Sequence, residues 1–97
     1  MTKGYWIANN LVHDSEAYKA YQKANAGPLK EYGGKFLVRA GRQISPEGAM
    51  FPRSVVIEFP SYADAVACYE SVAYQEALTI RQPIADTNLI IVEGYDE

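Results

Sequence analysis

The first third of the chain carries a strand-like apolar run followed by a helix-like pattern. Gly4 to Val12 is rich in aromatic and aliphatic residues and predicts a strand. Asp14 is suited to cap the free amides of a helix that is expected to extend towards Tyr32. We expect a kink or a restart at Gly27-Pro28, because proline lacks an amide hydrogen, and an end at Gly33-Gly34.

The rest of the chain predicts two strands, a second helical region and a final strand. Lys35 to Ala40 and Ser54 to Phe59 are the two strands, joined by a long Gly-, Pro- and Ser-bearing connection. Ser61 is expected to cap the helical region, Ser71 to act as a fresh cap or bend, and Pro83 to end it near Gln82. Leu89 to Tyr95 is the predicted last strand. Residues at helical spacing form the predicted buried stripe of the helical region: Ala65, Cys68, Tyr69, Val72, Tyr74, Ala77, Leu78 and Arg81.

This order of elements predicts a ferredoxin-like βαββαβ fold of the α+β class, with a four-stranded antiparallel sheet and one domain over residues 1–97. The strands are apolar at consecutive positions in Phe36 to Val38, Val55 to Ile57 and Leu89 to Val92. Consecutive strand residues point to opposite faces, so both faces of the sheet are largely apolar. Helices cover one face, and we expect a second copy of the chain to cover the other in a homodimer. A different protein on that face is the alternative.

Charge and cysteine content narrow the possible partners. The 97 residues contain 9 Lys+Arg and 12 Asp+Glu, for a net charge of −3, and no block of basic residues stands out. Neither a nucleic acid nor a membrane surface is therefore expected as a partner. The single cysteine rules out an internal disulfide, and the N-terminus does not read as a signal peptide. We expect a cytoplasmic protein.

Several segments of the chain resemble the domain-of-unknown-function 1330 family. They are Gly4 to Ile7, Asp14 with Tyr18 and Tyr21, Tyr32 to Arg39, Val55 to Ser61, Tyr74-Gln75, Arg81 and Val92 to Gly94. The resemblance covers nearly the whole chain and implies the dimeric α/β-barrel superfamily. That superfamily includes small monooxygenases, lactone isomerases and haem-dependent relatives, and the resemblance transfers no catalytic residue.

Six residues are candidates for binding a small molecule. Arg81 shares a predicted inward stripe, where a guanidinium serves either as an anion clamp or as a structural ion pair or surface-packed stem. Strand alternation places Arg39 with Leu37 and Glu58 with Val56, and Arg39 and Glu58 can pair if they share a face. The other candidates are Asn9, as a neighbour in a polar patch inside the barrel, and Tyr69 and Tyr74, which either fill the core or line a pocket.

The remaining reactive side chains give no stronger signal. His13 precedes a helix cap, and His13 with Glu16 is too few ligands for a metal site. Cys68 is interpreted as a small apolar filler. We therefore predict neither a metal nor a cofactor.

Three hypotheses about function follow. The favoured one is a cofactor-independent, monooxygenase- or isomerase-like enzyme acting on a small organic molecule in the cleft between sheet and helices. Arg81 and Arg39 would stabilise a developing oxyanion, and a tyrosine or Glu58 would handle the proton. The alternatives are a non-catalytic small-molecule-binding dimer and a protein-interaction module.

Overall fold

The computed structural model describes residues 2–96 and contains, within them, a four-stranded antiparallel sheet with three helices on one face. The helices are α1 (Ser15–Glu31), α2 (Tyr62–Glu70) and α3 (Val72–Arg81). The strands are β1 (Gly4–Val12), β2 (Lys35–Arg39), β3 (Arg53–Phe59) and β4 (Ala85–Glu93), and they lie side by side in the order β2-β3-β1-β4. The ferredoxin-like prediction is confirmed, with the second helical region divided into two helices.

Side-chain caps begin each helix where the sequence predicted them. The Asp14 carboxylate accepts hydrogen bonds from two amides of the first turn of α1, each at 3.1 Å. Ser61 caps α2, and the Ser71 hydroxyl accepts the Tyr74 amide at 3.2 Å to cap α3. Because Ser71 is extended, α3 starts with a new axis, and Val72 is 75% exposed. Its predicted place in the buried stripe was wrong for this reason.

Helix α1 continues through Gly27-Pro28 as one element, so the restart allowed there does not occur. Proline removes one intrahelical hydrogen bond. Pro28 is itself buried, and its carbonyl accepts the Tyr32 amide at 3.1 Å and the Cys68 thiol at 3.5 Å. The hydrogen bond from Cys68 therefore joins this last turn of α1 to α2.

Strand β4 begins at Ala85 rather than at Leu89, and it ends at Glu93 rather than at Tyr95. It pairs with the whole of β1, from Gly4 opposite Glu93 to Val12 opposite Ala85. The residues before Leu89 are extended because β1 supplies backbone hydrogen-bond partners for them. The amino-acid pattern of this polar segment alone does not predict such long-range pairing.

Aromatic side chains fill the space between the helices and the sheet. The Trp6 ring centroid lies 4.8 Å from that of Tyr74 and 5.2 Å from that of Phe59. The Trp6 indole nitrogen donates to the Ala65 carbonyl at 2.8 Å, so its polar atom is satisfied inside the core. The core therefore clamps α2 and α3 onto the centre of the sheet.

A bulge in β2 changes which face its last residues occupy. Phe36 lies opposite Ile57 and Val38 lies opposite Val56, which leaves Leu37 as an extra residue between the two pairs. An extra residue shifts the alternation by one position. Arg39 consequently lies opposite Val55, on the face that the helices cover.

The outer face of the sheet is apolar and exposed. Six large apolar side chains on it have exposed fractions between 36% and 57%: Ile7, Leu11, Leu37, Val38, Ile90 and Val92. No helix within residues 2–96 packs on this face. None of the helices described is long and apolar enough to span a membrane.

Candidate functional site

A cavity lies between α1, α3 and the sheet. It has about 440 Å³ of space when its open mouth is included, of which about 30 Å³ is reachable by the centres of water molecules. The smaller volume holds about two waters. Its wall combines aromatic and aliphatic surface with polar side chains from α1, α3 and the strands β1, β2 and β3. These polar residues are Asn10, Tyr18, Tyr21, Gln22, Asn25, Arg39, Arg53 and Arg81.

Three arginines line the cavity, and no aspartate or glutamate does. Arg39 comes from β2, Arg53 from β3 and Arg81 from α3. None of the three takes part in an ion pair within residues 2–96, where the ion pairs are His13–Asp86 and Lys19–Glu16. The cavity of a chain with net charge −3 is thus strongly positive, which favours an anion inside it.

Arg81 is 7% exposed and contacts two phenols instead of a carboxylate. Its Nη1 donates to the hydroxyls of Tyr21 and Tyr74, each at 3.2 Å, and the two hydroxyl oxygens are 2.7 Å apart. Burial, and then the neighbouring Tyr21, raise the pKa of Tyr74, so its phenol stays neutral. One phenolic proton is shared between the two rings, and the other has no acceptor in this cluster. With Tyr74 as the donor, the free proton belongs to Tyr21, which lines the cavity.

A second cluster joins Arg53 to Asn10 through Tyr18. The Tyr18 hydroxyl accepts from Arg53 Nε at 3.4 Å and from Asn10 Nδ2 at 3.2 Å. The Arg53 guanidinium also lies over the Tyr18 ring, 4.9 Å from its centroid. Its strongest contacts are therefore with one neutral aromatic residue, and it keeps donors for a ligand.

Arg39 stands at the open side of the cavity. It is exposed, and its guanidinium stacks 4.4 Å from the centroid of the Phe36 ring. A cation–π contact at an exposed position contributes roughly 0.5–1 kcal/mol, so a carboxylate competes with it easily. Arg39 is thus held at the edge of the cavity by one weak contact.

The structure separates the six candidates predicted from the sequence. Arg39 and Arg81 line the cavity, and Tyr74 lies directly behind Arg81. Tyr69 lies instead along a neighbouring, more open groove between α2, α3 and β4, which Arg81 also lines and in which about 460 Å³ is reachable by the centres of water molecules. Of these candidates, Tyr74 contacts the Arg81 guanidinium, Tyr69 shares a groove with Arg81, and Arg39 shares the cavity with it.

The other two candidates lie on the outer face of the sheet. Asn9 Nδ2 donates to the Phe51 carbonyl and Asn9 Oδ1 accepts the Phe51 amide, both at 2.8 Å, so Asn9 holds the connection between β2 and β3. Glu58 accepts from the Tyr5 hydroxyl at 3.1 Å. The pairing of Arg39 with Glu58 does not form, because Arg39 lies opposite Val55 and Glu58 opposite Lys35, at the two ends of the β2–β3 ladder, and the bulge also puts Arg39 on the other face.

Arg53 was missed as a candidate, although the sequence contained a signal for it. It begins β3 and alternates with Val55, Ile57 and Phe59, which are all buried under the helices. The same alternation predicts an inward Arg53. Asn10 and Tyr18, which were also missed, line the cavity as well, and the Tyr18 hydroxyl accepts from both Asn10 and Arg53.

Cys68 has the properties of a core residue. It is fully buried, and burial, helped by the charge of Glu31, raises the pKa of its thiol to about 12. A thiol with so high a pKa is not a nucleophile near neutral pH. Within residues 2–96, no three His, Cys, Asp or Glu side chains lie together as metal ligands.

The family profile described as "Domain of unknown function (DUF1330)" matches residues 3–95. The chain belongs to the DUF1330 family. No curated protein matches it. The DUF1330 chain is similar in structure to a protein of unknown function from Rhodopseudomonas palustris, at 21% identity and a TM-score of 0.78 over 99% of this chain and 85% of that one.

Two further solved structures are similar to this DUF1330 chain. One is a dimeric ferredoxin-like protein of unknown function from Thermobifida fusca, at 15% identity and a TM-score of 0.61 over 94% of this chain and 90% of that one. The other is SnoaB, a cofactor-independent oxygenase from Streptomyces nogalater, at 8% identity and a TM-score of 0.66 over 100% of this chain and 97% of that one. These similarities show the fold, that of the ferredoxin-like dimeric α/β-barrel proteins.

Proposed function

We propose that this protein binds a small organic anion, a carboxylate or an enolate, in the cavity between its helices and its sheet. The observation that carries the proposal is that three arginines line one cavity without a carboxylate among its lining residues. A buried guanidinium is costly unless an anion compensates it. The structural alternative, in which Arg39 and Arg81 pair with carboxylates of the chain, is not found within residues 2–96.

The small volume of the cavity limits the ligand and requires its mouth to open. About 30 Å³ is reachable by water centres, so an organic acid has to displace both water and side chains. Arg39 is exposed and held only by its stacking on Phe36. Its movement opens the cavity and brings the guanidinium onto the carboxylate as the ligand enters.

The test compares acids with their neutral amides by NMR titration of the 15N-labelled protein. Acetate, propionate and benzoate are titrated beside acetamide, propionamide and benzamide. We expect saturable shifts at cavity residues for at least one acid, none for its amide, and about tenfold or greater weakening in Arg53→Met and Arg81→Met, since a charge-assisted hydrogen bond contributes roughly 1.5–3 kcal/mol.

Arg42→Met is the matched control, because Arg42 is an exposed loop arginine outside this cavity. It removes the same charge and should leave the dissociation constant unchanged. If every acid binds no better than its amide, or if Arg42→Met weakens binding as much as Arg81→Met does, the proposed anion site is wrong.

We further propose that two copies of the chain pair through the outer faces of their sheets. The proposal is supported by the exposed apolar side chains on that face and by the dimeric relative from Thermobifida fusca. Light scattering after gel filtration should give the mass of a dimer. Ile90→Lys should shift it to a monomer, whereas Val72→Lys, at a 75% exposed position among the helices, should not. A monomeric wild type, or equal effects of the two variants, would contradict this pairing.

A specific observation also favours catalysis on the bound molecule. When Tyr74 donates the bond between the two phenols, Tyr21 keeps a free proton. That proton and the Arg81 guanidinium are then two donors on one side of the cavity, and together they stabilise an oxyanion. Glu58 does not contribute, because it lies on the other face of the sheet. The fold is shared with SnoaB, a cofactor-independent oxygenase.

Enolate stabilisation is measured by the exchange of the pyruvate methyl protons in D₂O, followed by NMR. We expect the protein to accelerate exchange over buffer, and Tyr21→Phe to slow it while pyruvate still binds. Exchange no faster than in buffer would remove the catalytic candidate and leave the anion-binding function standing.

A further inference from the structure

Asn10 contributes an unsatisfied acceptor to the arginine cavity. Its side chain is 2% exposed, and its Nδ2 donates to the Tyr18 hydroxyl at 3.2 Å. Its Oδ1 has less than 1 Å² of accessible surface and no hydrogen-bond partner within residues 2–96. Nearly all buried polar atoms in proteins have such a partner, so an orphan amide oxygen in a cavity wall points to a missing donor.

The three arginines explain the charge of a ligand but not this oxygen. Guanidinium groups only donate hydrogen bonds, and an organic anion that carries nothing but a carboxylate only accepts them. A simple carboxylate cannot itself satisfy Asn10 Oδ1, which then needs a trapped water as its donor or stays unsatisfied, at a cost of roughly 1–3 kcal/mol for the buried group. A ligand with both an anionic group and a hydrogen-bond donor would satisfy the arginines and Asn10 together.

We propose that the ligand is a small acid that carries a hydroxyl group on the carbon next to its carboxylate. The inference rests on the proposed function, because the carboxylate is placed on the arginines. The Tyr18 hydroxyl bonds both Arg53 and Asn10, so the guanidinium and the amide are neighbours across one oxygen atom. A hydroxyl on the carbon next to the carboxylate therefore brings a donor to Asn10 while the carboxylate contacts Arg53, once the ligand has displaced the side chains that cover Asn10 Oδ1.

The positive charge of the cavity excludes an ammonium group, the other common hydrogen-bond donor of small acids. An ammonium group next to a carboxylate, as in an amino acid, would enter a space lined by three guanidinium groups without a compensating side-chain carboxylate. A neutral hydroxyl avoids this repulsion. The restricted volume of the cavity favours an acid of three carbons, such as lactate, over a larger one.

NMR titration of the wild-type protein with lactate, propionate and 3-hydroxypropionate tests this inference by comparing their dissociation constants. The three acids share the carboxylate and differ in the presence and position of one hydroxyl. We expect lactate to bind about tenfold more tightly than the other two, since a hydrogen bond that relieves a buried unsatisfied group supplies about this factor.

Variants assign the preference to Asn10. In Asn10→Ala, lactate and propionate should bind equally, and Asn88→Ala should keep the tenfold preference, because Asn88 is an exposed asparagine on β4 outside the cavity. The comparison of acids on the wild-type protein stands by itself if Asn10→Ala does not fold.

The outcomes separate this inference from the proposed function. Arginine-dependent binding of propionate with no preference for lactate would overturn the hydroxy-acid inference and keep the anion site. A lactate preference that persists in folded Asn10→Ala would also overturn it. Absence of arginine-dependent binding for all three acids would contradict the anion site itself.

Discussion

Replacement of Arg81 by methionine should cost little stability while it weakens anion binding about tenfold or more. The guanidinium gives two hydrogen bonds to Tyr21 and Tyr74, which contribute roughly 1.5 kcal/mol each when the donor is charged. Against this gain stands the desolvation of a buried cation, an effective cost of several kcal/mol. Methionine fills the space of the stem, and the two phenols keep their mutual bond of 2.7 Å. We expect the free energy of unfolding to change by less than about 1.5 kcal/mol.

Tyr74→Phe provides the sharper comparison. It removes one hydroxyl and leaves the buried guanidinium of Arg81 with a single phenol, so the cation is less satisfied than before. Removing a partner from a buried charged donor costs roughly 1–3 kcal/mol or more. The smaller chemical change should therefore destabilise the protein more than the removal of the arginine does.

Urea unfolding of the wild type and both variants, at one fixed protein concentration, measures this order. The concentration is fixed because the stability of a dimer depends on it. A loss of more than about 3 kcal/mol in Arg81→Met, together with a smaller loss in Tyr74→Phe, would refute the reasoning. Arg81 would then be a structural brace, and the anion site would lose its central residue.

Three further changes test the fold around the site. Burial raises the pKa of the Cys68 thiol from 9.0 to about 12. The stability that the buried neutral thiol adds is therefore present below pH 9 and is lost between pH 9 and 12, by up to about 1.4 kcal/mol per pH unit. The free energies of unfolding of wild type and Cys68→Ala should run parallel below pH 9 and diverge between pH 9 and 12. Gly4→Ala places a Cβ 2.4 Å from a backbone oxygen and should cost about 1–3 kcal/mol in urea unfolding, whereas Gly41→Ala meets nothing within 4 Å and should stay within about 0.5 kcal/mol of wild type. Asn9→Asp sets a carboxylate against two backbone carbonyls and should cost about 1–3 kcal/mol in urea unfolding. A loss below about 0.5 kcal/mol would contradict the role of Asn9 in holding the β2–β3 connection.

Local signals in the sequence were enough for most of the fold. The caps at Asp14, Ser61 and Ser71 depend on a side chain and the amides of the next turn, and all three form as predicted. The bounds of β1 were predicted correctly because its aromatic and aliphatic run coincides with the strand. The start of β4 was not, because Asp86 to Asn88 become a strand only through pairing with β1.

The site was predicted in part, for a related reason. Arg81 followed from helical spacing, which is a local property of α3. The face of Arg39 depends on the alignment of β2 with β3, and strand alternation alone assigned it wrongly. The role of Asn10 depends on Tyr18, which the 17-residue helix α1 supplies. Only the packed structure therefore reveals the unsatisfied side-chain oxygen of Asn10.

The bulge at Leu37 moves the side chain of Arg39 to the other face of the sheet with a single extra residue. Because β2 is an edge strand that pairs only with β3, one inserted residue disturbs a single ladder and leaves the centre of the sheet untouched. That residue exchanges the neighbours of Arg39, from the apolar outer surface to the cavity. A chain whose β2 lacked this one residue would carry the same arginine in its sequence, but the guanidinium would lie on the outer face of the sheet, where a partner protein could contact it. The identity of the residue at this position is therefore informative only together with the length of the strand.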